Sequence, residues 1–205
     1  MNAKLKQVTC LVVLLVVTTA CGILSQPSNQ YIEVTSYAPA PEIKTVIVYL
    51  TPVAPLLPTE KIVYGDLEIA MDDYEILGEY TTEFSRIETP PEATKFVWVH
   101  ITVKNIGTGA GKVPHFIRFD LFYDGTEIEA MYGHRQDFPD YADQNFSDDR
   151  IQPSQSREGW LRFIVPSSAD SSDLLFAFDG SSTAFVSGTP YVVEGQHAYF
   201  WKLTP

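Results

Sequence analysis

Cysteine is almost absent from this sequence. Only Cys10 and Cys21 occur, both near the start. A disulfide framework and a four-cysteine zinc site are therefore excluded. Whatever folds downstream must hold together through its apolar core. Positive charge is also scarce: 14 Lys plus Arg stand against 26 Asp plus Glu, a formal net charge of −12. This argues against a surface that grips nucleic acid or anionic lipid by charge, because phosphates are repelled rather than neutralised. No apolar run is long enough to span a bilayer comfortably. No stretch carries a convincing helical period, and Ser167 to Asp173 offers one turn at most.

The motifs of catalysis are missing too. His100, His115, His134 and His197 fall in no metal-ligand spacing and precede no nucleophile motif. The serines sit in Ser-rich loops without a nucleophile elbow. No glycine loop feeds a helix that would cradle phosphate. The expectation is a protein that is not an enzyme and needs no cofactor.

What is there begins with an export signal. Lys4 and Lys6 supply a positive start, and Cys10 to Val17 an apolar stretch. Thr18, Thr19 and Ala20 then lead to Cys21. Residues 1–20 resemble a bacterial lipoprotein signal peptide, in which that cysteine becomes the acylated first residue of the mature chain. Thr18 stands where such signals usually carry Leu. The same residues also satisfy the small-x-small rule of ordinary secretion. Acyl chains on Cys21 would add about 0.8 kcal/mol per buried CH₂, enough in multiple acylation for stable anchoring. Removal of residues 1–20 takes away two lysines and no acid, moving the net charge from −12 to −14. Such a protein sits extracytoplasmically on a membrane by its lipid, not by its charge.

Residues 21–60 read as the lipidated cysteine and a tether. Pro27, Pro39, Pro41, Pro52, Pro55 and Pro58 interrupt every possible helix there. Lys44 to Leu50 (KTVIVYL) is apolar and β-prone, either an edge strand or a piece of linker. Residues 61–205 form the domain. Leu67, Ile69 and Met71 alternate with polar neighbours, and Tyr74 to Leu77 offers a second short run. Phe96 to Val103 is the strongest strand, with Val97, Val99, Ile101 and Val103 on one face and Phe96, Trp98, His100 and Thr102 on the other. Ile117, Phe119, Leu121 and Tyr123 share a face, and Asp124-Gly125 signals a hairpin. Residues 133–157 lack an apolar period and read as a long polar loop. Strands resume at Gly159 to Val165 and Leu174 to Phe178. Glu194-Gly195 looks like the turn of a final hairpin. About seven to nine short strands indicate an all-β, antiparallel sandwich.

Three pieces carry a family likeness: Trp98 to Gly107 (WVHITVKNIG), Phe119 to Gly125 (FDLFYDG) and Glu158 to Pro166 (EGWLRFIVP). In order and spacing the chain resembles the domain of unknown function common in bacterial lipoproteins, of the immunoprotective extracellular immunoglobulin-like superfamily. The likeness covers roughly residues 61–180. Where that family usually has Pro-Gly before the last of these strands, this chain has Pro153-Ser154. The resemblance implies an extracellular, immunoglobulin-like β-sandwich and no catalytic residues.

Two sets of residues stand out as candidate sites. Asp137, Asp140, Asp143, Asp148 and Asp149 crowd one loop and could offer oxygen ligands to calcium. Their spacing is not that of an EF-hand, and Arg135 and Arg150 bracket them. The second set is Trp98, His100, Phe116, Arg118 and Phe122, outward on their strands and unusually aromatic. Exposed, they would form a partner patch; the expectation is that a C-terminal hairpin with Tyr199 and Trp201 covers them. A sheet edge is a further place for a partner strand. The sequence thus reads as a membrane-anchored, extracytoplasmic lipoprotein whose domain is a non-catalytic module for an unidentified envelope protein. A calcium- or small-ligand-binding role for loop 133–157 is the alternative. Nucleic acid is not an expected partner, and oligomeric state is not set by these patterns.

Overall fold

A computed structural model describes residues 48–142 and 149–204. The chain divides into units 1–45 and 46–205, and every described residue lies in the second. Its first strands are β1 (Leu50–Pro52), β2 (Lys61–Tyr64), β3 (Leu67–Leu77), β4 (Tyr80–Thr81), β5 (Ile87–Glu88), β6 (Thr94–Asn105) and β7 (Gly111–Lys112). They are followed by β8 (Phe119–Tyr123), β9 (Thr126–Glu129), β10 (Arg150–Ile151) and β11 (Ser156–Pro166). The chain ends with β12 (Leu174–Phe178), β13 (Ala184–Val186), β14 (Thr189–Val193) and β15 (Tyr199–Lys202).

The protein is an all-β antiparallel sandwich. A front sheet runs β11-β6-β3-β2 and a back sheet β15-β12-β8-β9. Together they supply eight strands, within the expected number. The core between them is made by alternation: Val97, Val99, Ile101 and Val103 of β6 and Leu161, Phe163 and Val165 of β11 face Phe119, Leu121, Phe176 and Phe178 from the back sheet. All of these side chains are fully buried. At about 1.5–3 kcal/mol per buried large apolar side chain, this layer supplies most of the driving force in a domain without disulfides.

Leu67–Met71 and Tyr74–Leu77 prove to be one strand, joined by a bulge between Met71 and Asp73. The Asp124-Gly125 turn closes the β8–β9 hairpin with both residues at positive φ, 49° and 73°. That is the conformation that matches strand twist in a two-residue hairpin. The expected face beginning at Ile117 starts two residues later, because Phe116–Arg118 forms a single 3-10 turn. Ser171–Asp173 makes another, inside the segment expected to give one turn.

The C-terminal strands do not form a hairpin. β14 pairs with β1 and β13 in a third, outer sheet, whereas β15 pairs with β12 in the back sheet. The reason lies in residues 50–56. Leu50–Pro52 pair with β14, and Leu56 bonds to β15 through Leu56 N–Phe200 O (2.7 Å) and Lys202 N–Leu56 O (2.9 Å). Strand pairing therefore begins within the segment 21–60 read as tether. Leu50 is the only residue of the β-prone stretch to enter a described strand; residues 44–47 and the signal peptide lie outside the described residues.

Candidate interaction site

Both outer faces of the sandwich are aromatic, and each has its own cover. On the front sheet, Phe96 and Trp98 of β6 and Trp160 of β11 pack with Tyr80 into a second cluster. The cover consists of the β4–β5 hairpin and residues 131–141. The latter run along the free edge of β11, through Met131 N–Arg162 O (2.8 Å), Trp160 N–Pro139 O (2.9 Å) and Tyr141 N–Trp160 O (3.0 Å). Phe138 stacks on Trp160 at 4.0 Å between ring centres. Tyr141 is fully buried and donates its hydroxyl to Pro114 O at 2.9 Å. The first part of the expected polar loop is thus a structural cap. Its aromatic plugs follow no sequence period.

Arginines knit this cap to the sheet. Arg162, 8% exposed, donates through Nη1 to Tyr80 Oη (2.6 Å) and Glu88 Oε1 (2.7 Å). The Tyr80 hydroxyl in turn donates to Glu88 Oε2 (2.7 Å). Burial, joined by the bond to Glu88, pushes that hydroxyl up to about 12. Burial works to raise Glu88 as well, but hydrogen bonds from Tyr80 and Arg162 outweigh it and hold the carboxyl below its usual range. Arg135 lies 3.5 Å over the Phe138 ring and pairs with Glu75 at 2.7 Å. The carboxylate, the hydroxyl and the rings of Tyr80 and Phe96 offset part of the desolvation of Arg162, whose buried Nε has no hydrogen-bond partner.

On the back sheet, Phe122, Ala177 and Phe200 are covered by Phe185 and Val192 of the outer sheet. Under the same cover lies Asp120, 3% exposed, whose Oδ2 has no hydrogen-bond partner. Burial pushes its carboxyl up to about 7, with Glu127, Glu129 and Asp179 adding to the shift. No sequence pattern marked Asp120. The signal available was a lone acid between Phe119 and Leu121 on a strand covered on both faces.

The expected partner patch is therefore corrected. Trp98 and Phe122 are buried, and they lie on opposite sides of the sandwich because β6 and β8 belong to different sheets. His100 is half-buried beside Trp160 and 3.4 Å from Asp72. Arg118 pairs with Asp179 and lies 4.7 and 4.6 Å over the rings of Tyr64 and Phe178. Phe116 rests against Tyr132 at 5.1 Å. The expected cover by Tyr199 and Trp201 is also replaced: Trp201 enters the central core instead.

The described members of the acidic set, Asp137, Asp140 and Asp149, do not come together as a metal site. Asp140 is buried and accepts backbone N–H bonds from Gly133 and Ala142, each at 2.7 Å. Asp149 pairs with Lys112 at 3.1 Å. Asp137 is exposed, and Asp143 and Asp148 lie outside the described residues. Among the described residues, no three carboxylate, histidine or cysteine groups come together as a metal site.

Apolar surface lies open on the front-sheet cap, among other places. Phe84 and Ile87 of the β4–β5 hairpin are 70% and 68% exposed, with His134 beside Phe84 at 6.2 Å and paired to Glu83 at 3.2 Å. Ile117 is 67% exposed next to the Phe116–Tyr132 pair. Phe84 and Ile87 lie between the runs that the sequence marks, Tyr74 to Leu77 and Phe96 to Val103, in a stretch without an apolar period. A cavity of about 460 Å³ lies elsewhere, lined by Phe122, Leu175 and Phe185 with Asp124, Asp173 and Lys202 at its polar walls.

Residues 60–185, which hold the sandwich from β2 through β13, match the family described as a domain of unknown function, DUF4352. The chain belongs to the DUF4352 family. All three sequence pieces that carried the resemblance fall inside that span, on or beside β6, β8 and β11. β1, β14 and β15 lie outside that span. No curated protein matches the sequence. Among solved structures, an uncharacterized β-sandwich protein of Clostridium difficile 630 is 13% identical with a TM-score of 0.45, covering 74% of this chain and 95% of that one. A conserved hypothetical protein of Bacillus anthracis is 10% identical with a TM-score of 0.47, covering 77% and 99%. The yjhA protein of Bacillus subtilis is 13% identical with a TM-score of 0.45, covering 71% and 97%.

Proposed function

We propose that this DUF4352 chain is an extracytoplasmic lipoprotein, held to a membrane through Cys21, whose immunoglobulin-like sandwich acts as a non-catalytic protein-interaction module. The observation that carries the interaction role is the exposure of Phe84 and Ile87 on the tip of the β4–β5 hairpin. The roots of that hairpin do structural work: Tyr80 and Glu88 hold Arg162. Its tip contributes nothing to the cores and places two large apolar side chains in water. Surface apolar groups of this kind, rimmed here by Glu83, Arg86 and His134, suit a protein partner. The anchoring role is supported by the signal-like residues 1–20 ending at Cys21.

Two experiments test the two halves separately. Cys21→Ala should move the protein from the membrane fraction to the soluble fraction; retention at the wild-type level contradicts lipidation. Phe84→Ser with Ile87→Ser should leave the melting temperature unchanged and abolish recovery of the partner from native membranes. Undiminished recovery contradicts the hairpin tip as the interface.

A further inference from the structure

The outer sheet, β1-β14-β13, is built from two segments without charge. Residues 45–59 and 180–193 contain no Asp, Glu, Lys, Arg or His in a chain that is 20% charged. The register fixes which side chains face away from the sandwich. Phe185 and Val192 pack inward on Phe122 and Phe200. Their neighbours along each strand must therefore point out: Leu50 with Val193, Pro52 with Tyr191 and Ala184, and Val186 with Thr189. Leu50 is 45% and Val186 53% exposed, and Pro52 and Ala184 are exposed as well. Val48, 53% exposed and two residues before Leu50, extends this apolar set toward the N-terminal segment.

We propose that this face docks onto the surface of the lipid bilayer to which the chain is anchored, an inference that rests on anchoring through Cys21. Three observations select a bilayer over a protein. First, the face is small. Three strands about 4.8 Å apart and at most five residues long give a footprint on the order of 200 Å². A stable interface between freely diffusing proteins needs roughly 800 Å² from each partner, including a polar rim that this uncharged face does not itself supply. A surface held nearby by a tether needs far less, because the second contact is intramolecular. Second, the mature chain is strongly acidic, and an anionic headgroup layer repels its charged faces. An uncharged face can approach that layer without electrostatic cost. Third, the chain enters the face directly: β1 is the first described strand, and only 28 residues separate Cys21 from Leu50. Tyr191 brings to this face an amphipathic ring of the kind that settles at headgroup depth.

The test imposes the anchor chemically. The processed chain beginning at Cys21 has one cysteine, which is coupled to a maleimide headgroup lipid in vesicles of equal phosphatidylcholine and phosphatidylglycerol. The same protein capped with N-ethylmaleimide, mixed with the same vesicles, is the reference. Hydroxyl-radical footprinting then reads side-chain exposure. Docking predicts several-fold protection of Leu50, Tyr191 and Val186 on coupling, with Phe84 and Ile87 unchanged. Val186→Asp with Leu50→Asp should abolish that protection while coupling remains complete. Full coupling without protection of the outer sheet overturns the proposal, and so does equal protection of Phe84 and Ile87. Because the maleimide supplies the anchor, failure here is distinct from a failure of Cys21 lipidation in cells, which the Cys21→Ala fractionation reads.

Discussion

Asp120 and Glu129 stand directly opposite one another in the β8–β9 ladder, and only Glu129 reaches water. Two carboxylates in that relation repel when both are charged. Burial, with Glu127, Glu129 and Asp179 around it, brings the Asp120 carboxyl to about 7, far above its ordinary value of 3.8. The folded protein thus keeps a proton that the unfolded chain has already released. Stability falls as pH rises through the window from about 4 to 7 and levels off above it. Asp120→Asn removes that loss, at most about 4 kcal/mol. The variant should resist urea better than wild type at pH 8 and about equally at pH 4. A difference of the same size at both pH values would show that ionisation of Asp120 is not its cause.

Gly159 of β11 lies against the cap backbone. A Cβ there would meet Tyr141 N at 2.8 Å and Pro139 O at 3.0 Å, backbone atoms that cannot swing aside. Gly159→Ala should break the pairing between β11 and residues 139–141 and cost roughly 2–4 kcal/mol. Exposure of Trp98 and Trp160 should follow as a red shift in tryptophan emission. Gly78→Ala, with nothing within 4 Å, should change neither quantity. An unshifted Gly159→Ala spectrum would mean the cap is not seated by this contact.

Asp140 acts as a hydrogen-bond acceptor inside the cap. Asp140→Ala leaves the N–H groups of Gly133 and Ala142 without their acceptor. The expected loss is about 1–3 kcal/mol, with or without calcium. Millimolar calcium should shift the melting temperature of neither protein. A calcium-dependent rise that Asp140→Ala abolishes would reinstate the acidic loop as a metal site.

How far the fold was legible depends on how each residue is used. β6 could be read from its alternation because its inward valines and isoleucine meet a continuous core. The same alternation says which side chains share a face of one strand, but not which sheet the strand joins. Trp98 and Phe122 were therefore grouped as one patch although they point in opposite directions. Residues 131–141 gave no period because Tyr141, Phe138 and Asp140 each fill a separate position against β11. The turn at Glu194-Gly195 is present, with Gly195 at φ 86°. Its two strands diverge because Leu50–Pro52 pair with β14 from the far end of the sequence, a contact that local turn chemistry does not encode. Asp120 was illegible for the opposite reason: one acid in an otherwise apolar strand reads as solvent-facing until both faces are known to be covered.

The proposal that a protein partner meets the β4–β5 hairpin tip can be tested in cells. Its most direct test places a photo-crosslinking amino acid at position 84 in the otherwise natural chain, irradiates intact cells, and identifies the adducts by mass spectrometry. One dominant protein adduct is expected, lost when Ile87 is also changed to Asp and absent when the crosslinker stands at Lys95. Irradiation that yields no protein adduct at position 84, or the same adducts at position 95, would contradict it.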